Sequence, residues 1–322
     1  HARSSPRRRA SACSRHLWNN EGRITIGTYL EACMYGPLVI TYLFLGGAAA
    51  GALFVASTWS LAARRSERLQ NPLFAAAFDT MRKHVYAAGF IMLAFAMACL
   101  LWDLGSPQRA LLVFLRPHPT VLTFGAFTLS VEAGVTAVLA SSSLLGKPRL
   151  PKGLFTTLEA LCCLGALATM GYTGVFLFES GMPAWSTWTL VALFVFSSLS
   201  AGISTVLLID WVAQGRARLL KAAKPLQKAH LACLAGEGAF FTLFMLHVFD
   251  DPSAAAAKSL IMQQDMTATI ALGIVGFGMA VPAALEAYSL TRAECRTIPA
   301  ADAACLLGCF ILRAVVVACG IR

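Results

Sequence analysis

Eight stretches of about 20 mainly apolar residues, set between clusters of charge, constrain this chain more than any motif in it, because each is long enough to cross the hydrocarbon core of a bilayer. They run roughly Gly36 to Ala62, His84 to Trp102, Thr120 to Leu145, Gly153 to Phe178, Thr187 to Trp211, Ala229 to Phe249, Thr267 to Ser289 and Ala303 to Ile321, the last interrupted by Arg313. Lipid cannot satisfy free backbone N–H and C=O groups, and no stretch alternates with the period of two of a barrel strand. The chain is therefore read as an all-α integral membrane protein with eight transmembrane helices. Composition agrees: 57% of the 322 residues are hydrophobic and 13% charged, against roughly 25% charged in a soluble domain.

The positions of Lys and Arg predict the orientation. Connections after the first, third, fifth and seventh spans carry Arg64, Arg65, Arg68, Arg82 and Lys83; Lys147, Arg149 and Lys152; Arg216, Arg218, Lys221, Lys224 and Lys228; Arg292 and Arg296. The alternate connections carry only Arg109, Arg116 and Lys258. By the positive-inside rule the first set is cytoplasmic, so the expectation is a multi-pass protein of the cytoplasmic (inner) membrane with both termini extracytoplasmic. The basic tail at residues 1–35 runs against that rule. Its segment SSPRRRASACSRHLWNN lacks the apolar stretch of a signal peptide and suits a chain lying on a partner, or disorder. The net charge of +10 is mostly loop charge facing anionic lipid and carries no expectation of nucleic acid binding.

The ten cysteines do not read as a redox centre. Cys99, Cys162, Cys163, Cys233, Cys305 and Cys309 fall within spans, and no C-x-x-C pair is present for zinc or a cluster, so no metal is expected here. Cys13, Cys33 and Cys319 fall on or near the outer side, where an oxidising compartment could join two of them. A b-type haem needs two histidines at matching depth; His84 and His230, both at cytoplasmic helix starts, are the available pair, and helix-end histidines at an interface are common without haem.

The ionisable groups inside the spans are informative, since a mid-bilayer charge costs at least about 2.5–3.5 kcal/mol and must face the bundle. Glu132 and Arg313 lie near the middles of the third and eighth spans and are the natural ion pair. Glu237 lies in the inner half of the sixth span, with Glu159, Asp210 and Glu286 nearer the cytoplasmic face. Glu132 and Glu237 read equally as structural charges or as members of a proton relay. On the outer side, Tyr42 lies about 8 Å below the start of the first span and Tyr172 about 9 Å below the end of the fourth, at 1.5 Å per residue. Either phenol could belong to the aromatic belt. Trp185 and Trp188 fit the belt better than a site, whereas Tyr172, beside Gly171 and Gly174, fits it less well. Gly47 and Gly51 in GGAAAG let another helix approach closely.

TYLFLGGAAAGA in the first span, WDLGSP after the second, RPHPTVLTFGAFTLS into the third, YTGVFLFESGMPAW with FVFSSLSAG around the fourth and fifth, and LRAVVVACG at the end together resemble the NrfD-like family, membrane subunits typified by polysulfide reductase. The resemblance covers about residues 36 to 321. It implies two four-helix bundles, at residues 36–178 and 179–322, behind the tail at 1–35. It further implies a subunit without haem or metal that binds menaquinone or ubiquinone near the outer face. Such subunits partner a ferredoxin-type iron–sulfur protein, itself joined to a molybdopterin catalytic subunit or a multihaem cytochrome. Tyr172 of YTG matches the family's quinone-contacting tyrosine. Tyr42 stands where the polysulfide reductase branch has a histidine, and Val39 where it has an amide, so two polar contacts differ. Thr41, beside Tyr42, completes the expected quinone set with Tyr172 and Asp103. Asp103 of DLG matches a recurrent acid of the family and on local grounds also suits capping the turn Gly105-Ser106-Pro107.

The chemistry implied is the exchange of two electrons and two protons with a quinone. A phenol, un-ionised at neutral pH, suits positioning, so carboxylates must carry the protons. Asp103 would deliver them to the outer side, and a chain through Glu132, Glu237 and Glu159 to the cytoplasm. Two other readings stand beside this one: a dihaem quinol-oxidising anchor, and a secondary transporter, which would show an internal repeat around a midplane site.

Overall fold

The computed structural model describes residues 36–64, 72–103, 120–144, 151–214, 224–291 and 298–320. The tail with Cys13 and Cys33, the turn Gly105-Ser106-Pro107, Arg109, Arg116 and much of the basic connecting sequence lie outside the described residues. Among the described residues eight helices are long and apolar enough to cross a membrane: α1 Pro37–Ala63, α2 Pro72–Asp103, α3 Val121–Leu144, α4 Lys152–Phe178, α5 Trp188–Gln214, α6 Lys224–Asp250, α7 Gln264–Thr291 and α8 Pro299–Ala318. No strand occurs among the described residues. The protein is a multi-pass membrane protein.

Several helices start earlier than hydropathy predicts. α2 begins at Pro72 instead of His84, and α6 at Lys224 instead of Ala229. A helix satisfies its own backbone in water as well as in lipid, so it continues past the apolar window that hydropathy detects. In α2 the added turns are held by side chains: Arg82 donates to Asp79 three residues earlier at 2.6 Å.

Each of α1 to α4 packs on its chain neighbours, and α1 also on α4; α5 to α8 do the same, with α5 against α8. α1 and α5 join the two sets. A Cβ on Gly51 would lie 1.9 Å from the Ser198 carbonyl oxygen, and one on Gly202 2.2 Å from the Gly51 carbonyl carbon. Only glycine allows these backbones to touch, which is the packing that GGAAAG announces. α7 and α8 cross in the same way, since a Cβ on Gly308 would meet Gly278 Cα at 2.0 Å. Thr269–Ala280 of α7 winds as a π-helix just ahead of Pro282, which has no N–H to give to the helix and whose ring crowds the carbonyl one turn back in a regular α-helix.

The start of α1, the end of α2, the start of α3 and the end of α4 share one face of the molecule, called here the near face; Gly36 and Asp103 meet there. The corner from α4 to α5 also lies on it. Gly181, with φ of 71°, makes the turn, and a 3-10 turn at Pro183–Trp185 carries the chain into α5. Trp185 corrects the expectation of a belt residue. Its ring is fully buried, Nε1 donates to the Val316 carbonyl of α8 at 2.8 Å, and a Cβ on Gly320 would strike it at 2.1 Å. An indole seated in protein with its N–H satisfied has no reason to seek the headgroups. Trp188 is 67% exposed and its ring packs on Phe178 at 4.7 Å.

Candidate functional site

A groove of about 910 Å³ opens between α3 and α4 at the near face. Its walls are apolar, from Phe124, Phe127, Ala168 and Val175, and its polar groups are Thr120, Thr123, Tyr172 and Glu179. Thr120 and Thr123 hydroxyls bond to each other at 2.9 Å at the start of α3, and Glu179 is the exposed residue that ends α4. A concave apolar site with few, localised polar groups is the general form of a small-molecule pocket.

Tyr172 forms part of the inner wall, and its seat is made by a glycine. The ring lies across Gly125 of α3, where an added Cβ would come 1.8 Å from Tyr172 Cζ. Behind it, the phenol of Tyr172 acts at short range on the phenol of Tyr42 in α1, which is fully buried. The two tyrosines that sequence places at one depth are thus adjacent, one lining the groove and the other behind it. The remaining expected contacts do not line the groove. Thr41 donates back to the Pro37 carbonyl at 3.0 Å. Asp103 is exposed at the end of α2, near Gly36 at the start of α1.

Below the groove a line of polar side chains threads α1 to α4. Thr169, one turn from Tyr172, donates a short hydrogen bond to Glu132 Oε2, and Glu132 Oε1 is buried without a partner. Glu132 lies about 17 Å below the start of α3 at 1.5 Å per residue. Its side chain packs over Gly165 and acts on Cys162, which reaches Thr136 at 3.9 Å and Ser57. Ser57 contacts Tyr86 at 3.5 Å, and Tyr86 donates to Glu159 at 3.1 Å. Glu159 ends the line in an ion cluster, with Arg64 at 2.6 Å and Arg82 at 3.5 Å.

The structure does not bring Glu132 and Arg313 together. Depth alone suggested the pair, but helix rotation decides partners, and Glu132 faces α4. Arg313 is fully buried between α1, α5 and α8 and is held by neutral acceptors: the Leu43 carbonyl at 3.1 Å, the Cys309 carbonyl at 3.0 Å, and the Ser197 and Ser198 hydroxyls at 3.0 Å each. Phe44 and Phe194 rings flank the guanidinium. Glu237 is the carboxylate acting on this charge, and it also accepts from Cys309 Sγ at 3.9 Å. Glu237 therefore belongs to the Arg313 network and not to the line from Glu132 to Glu159. Of the two histidines weighed for haem, His84 is exposed with Nδ1 on the Thr80 carbonyl at 2.7 Å. His230 engages Glu286 through Nδ1 and Ser200 and Ser204 through Nε2.

Sequence reasoning missed Thr120, Thr123, Phe124 and Phe127, which look like ordinary span residues. It also missed the convergence of His230, Glu286 and Asp302, which lie on three different helices and form no local motif. The family model described as "Polysulphide reductase, NrfD" matches residues 28–322. No curated protein matches the chain.

Proposed function

We propose, because the chain belongs to the polysulphide reductase NrfD family, that its near-face groove is where a quinone exchanges electrons and protons with the complex the chain anchors. Membership itself places the chain among membrane anchor subunits of oxidoreductase complexes of the polysulfide reductase type. The observation that carries the finer reading is the groove: apolar walls for a ring and prenyl tail, polar groups at the rim and inner wall, and a buried line of side chains leading away from Tyr172.

In this reading Phe124, Phe127 and Val175 hold the ring and exclude water, while Thr120, Thr123 and Tyr172 offer hydrogen bonds to its oxygens. Electrons pass at the near face, taken as extracytoplasmic, to a ferredoxin-type iron–sulfur subunit, and onward to a molybdopterin catalytic subunit or a multihaem cytochrome. Protons have two destinations. Asp103 and Glu179 are close to the near-face water, whereas Thr169 and Glu132 begin the line that ends at Glu159 near the far face. Glu159, already paired with two arginines, serves as the anchored end of that line more than as a free acceptor.

Two measurements test this. Tyr172→Phe, with assembly intact, is expected to lower quinol-dependent turnover by about tenfold, the value of one positioning hydrogen bond of about 1–1.5 kcal/mol lost from the transition state. Unchanged kinetics would return Tyr172 to a packing role. Glu132→Gln keeps the acceptor for Thr169 and removes the proton-carrying group. It is expected to leave assembly intact and abolish proton movement during turnover in vesicles; failed assembly would instead mark Glu132 as structural.

A further inference from the structure

At the far-face ends of α6, α7 and α8, away from the groove, His230, Glu286 and Asp302 converge. All three are buried, at 0%, 5% and 2% exposure, and one ligand atom from each lies within 4.8 Å of the others. The imidazole Nδ1 is 2.5 Å from Glu286 Oε1. Three acceptor oxygens around them have no hydrogen-bond partner: Glu286 Oε2, Asp302 Oδ1 and Gln227 Oε1. Gln227, Glu286 and Asp302 all line one small pocket, which is too narrow for a water molecule. Among the described residues no Lys or Arg pairs with either carboxylate.

With both carboxyl groups ionised, Glu286 and Asp302 beside one imidazole carry a net negative charge even when the imidazole is protonated, and a buried charge is paired or binds a metal. Water is excluded by size. A single proton would pair two of the three oxygens and leave the third without a donor. A bare divalent cation can draw on all of them at once. The donors are one imidazole nitrogen, two carboxylate oxygens and one amide oxygen, a hard-to-borderline set that suits zinc or manganese. Tetrahedral ligands at about 2.0–2.2 Å from zinc lie about 3.4 Å apart, so the cluster closes modestly on binding. The proton shared by His230 and Glu286 leaves as the cation enters.

We propose that His230, Glu286 and Asp302, with Gln227 completing the set, form a divalent-cation site that ties α6, α7 and α8 together at the far face. The proposal does not depend on what the groove binds. The test uses the assembled complex, stripped with a chelator, dialysed against Zn²⁺ and washed, with zinc measured per copy of this chain. The wild type is expected to retain one Zn²⁺ more than complexes carrying Asp302→Asn or Glu286→Gln, with affinity falling about 100-fold in each. Added Zn²⁺ should raise the melting temperature of the wild type and not that of Asp302→Asn. The Tyr172→Phe complex should retain the ion. Wild-type complex that holds no Zn²⁺ after dialysis overturns the site even if the variants fail to assemble, as does equal zinc in the wild type and both variants.

Discussion

Gly125→Ala is expected to lower quinol-dependent turnover by roughly ten- to a hundredfold while the complex still assembles. The added methyl would begin 1.8 Å from Tyr172 Cζ, inside any contact distance. Either α3 moves away from α4, which widens the groove, or the Tyr172 ring leaves its wall. Overpacking of this kind costs about 1–3 kcal/mol, and about 1.4 kcal/mol is tenfold in rate. Gly125 is not among the residues that line the groove, so the effect acts through Tyr172. It should therefore be largely absent when Tyr172→Ala is already present, a coupling that a double-mutant cycle reads directly. Full activity in Gly125→Ala would mean that the position of the Tyr172 ring is irrelevant to turnover.

Arg313→Ala should have the largest effect on stability. Removing the guanidinium strips the Leu43 and Cys309 carbonyls and two serine hydroxyls of a shared donor and leaves Glu237 without its compensating charge. Breaking a buried charged network of this kind costs about 3–5 kcal/mol, which corresponds to a fall in melting temperature on the order of 10 °C. Arg313→Lys should not restore it, because one ammonium cannot reach four acceptors spread over α1, α5 and α8 in the way a planar fork does. Gly47 belongs to the same arrangement, since a Cβ there would lie 2.7 Å from Arg313 Nη2. A wild-type melting profile for Arg313→Ala would show that the polar cage contributes little.

Helix positions and helix rotations were unequally visible in the sequence. The spans were legible because bilayer thickness sets a length that hydropathy can measure, and α8 was legible despite Arg313 for that reason. The depths of Tyr42 and Tyr172 followed from counting 1.5 Å per residue, and the close contact at Gly51 from a run of small residues. Rotation about each helix axis was not legible. Glu132 sits near the middle of α3 and Arg313 in the last third of α8, and one turns toward Thr169 and the other toward Ser197 and Ser198. Trp185 was misplaced because an indole suits a headgroup layer and a satisfied core site equally. The groove was hidden because Thr123, Phe124 and Phe127 have the composition of any lipid-facing turn, and only the gap between α3 and α4 makes them a wall. Helix ends at the far face were misjudged because Asp79, Arg82 and Glu159 stabilise turns of α2 that hydropathy scores as loop.

The most direct test of the central claim is photolabelling of the assembled complex with a quinone bearing a photoreactive group on its ring, followed by peptide mapping. The account predicts label on the segments Thr120–Phe127 of α3 and Ala168–Glu179 of α4, competed away by unlabelled quinone. Competable label confined to α5–α8, with none on α3 or α4, would contradict it.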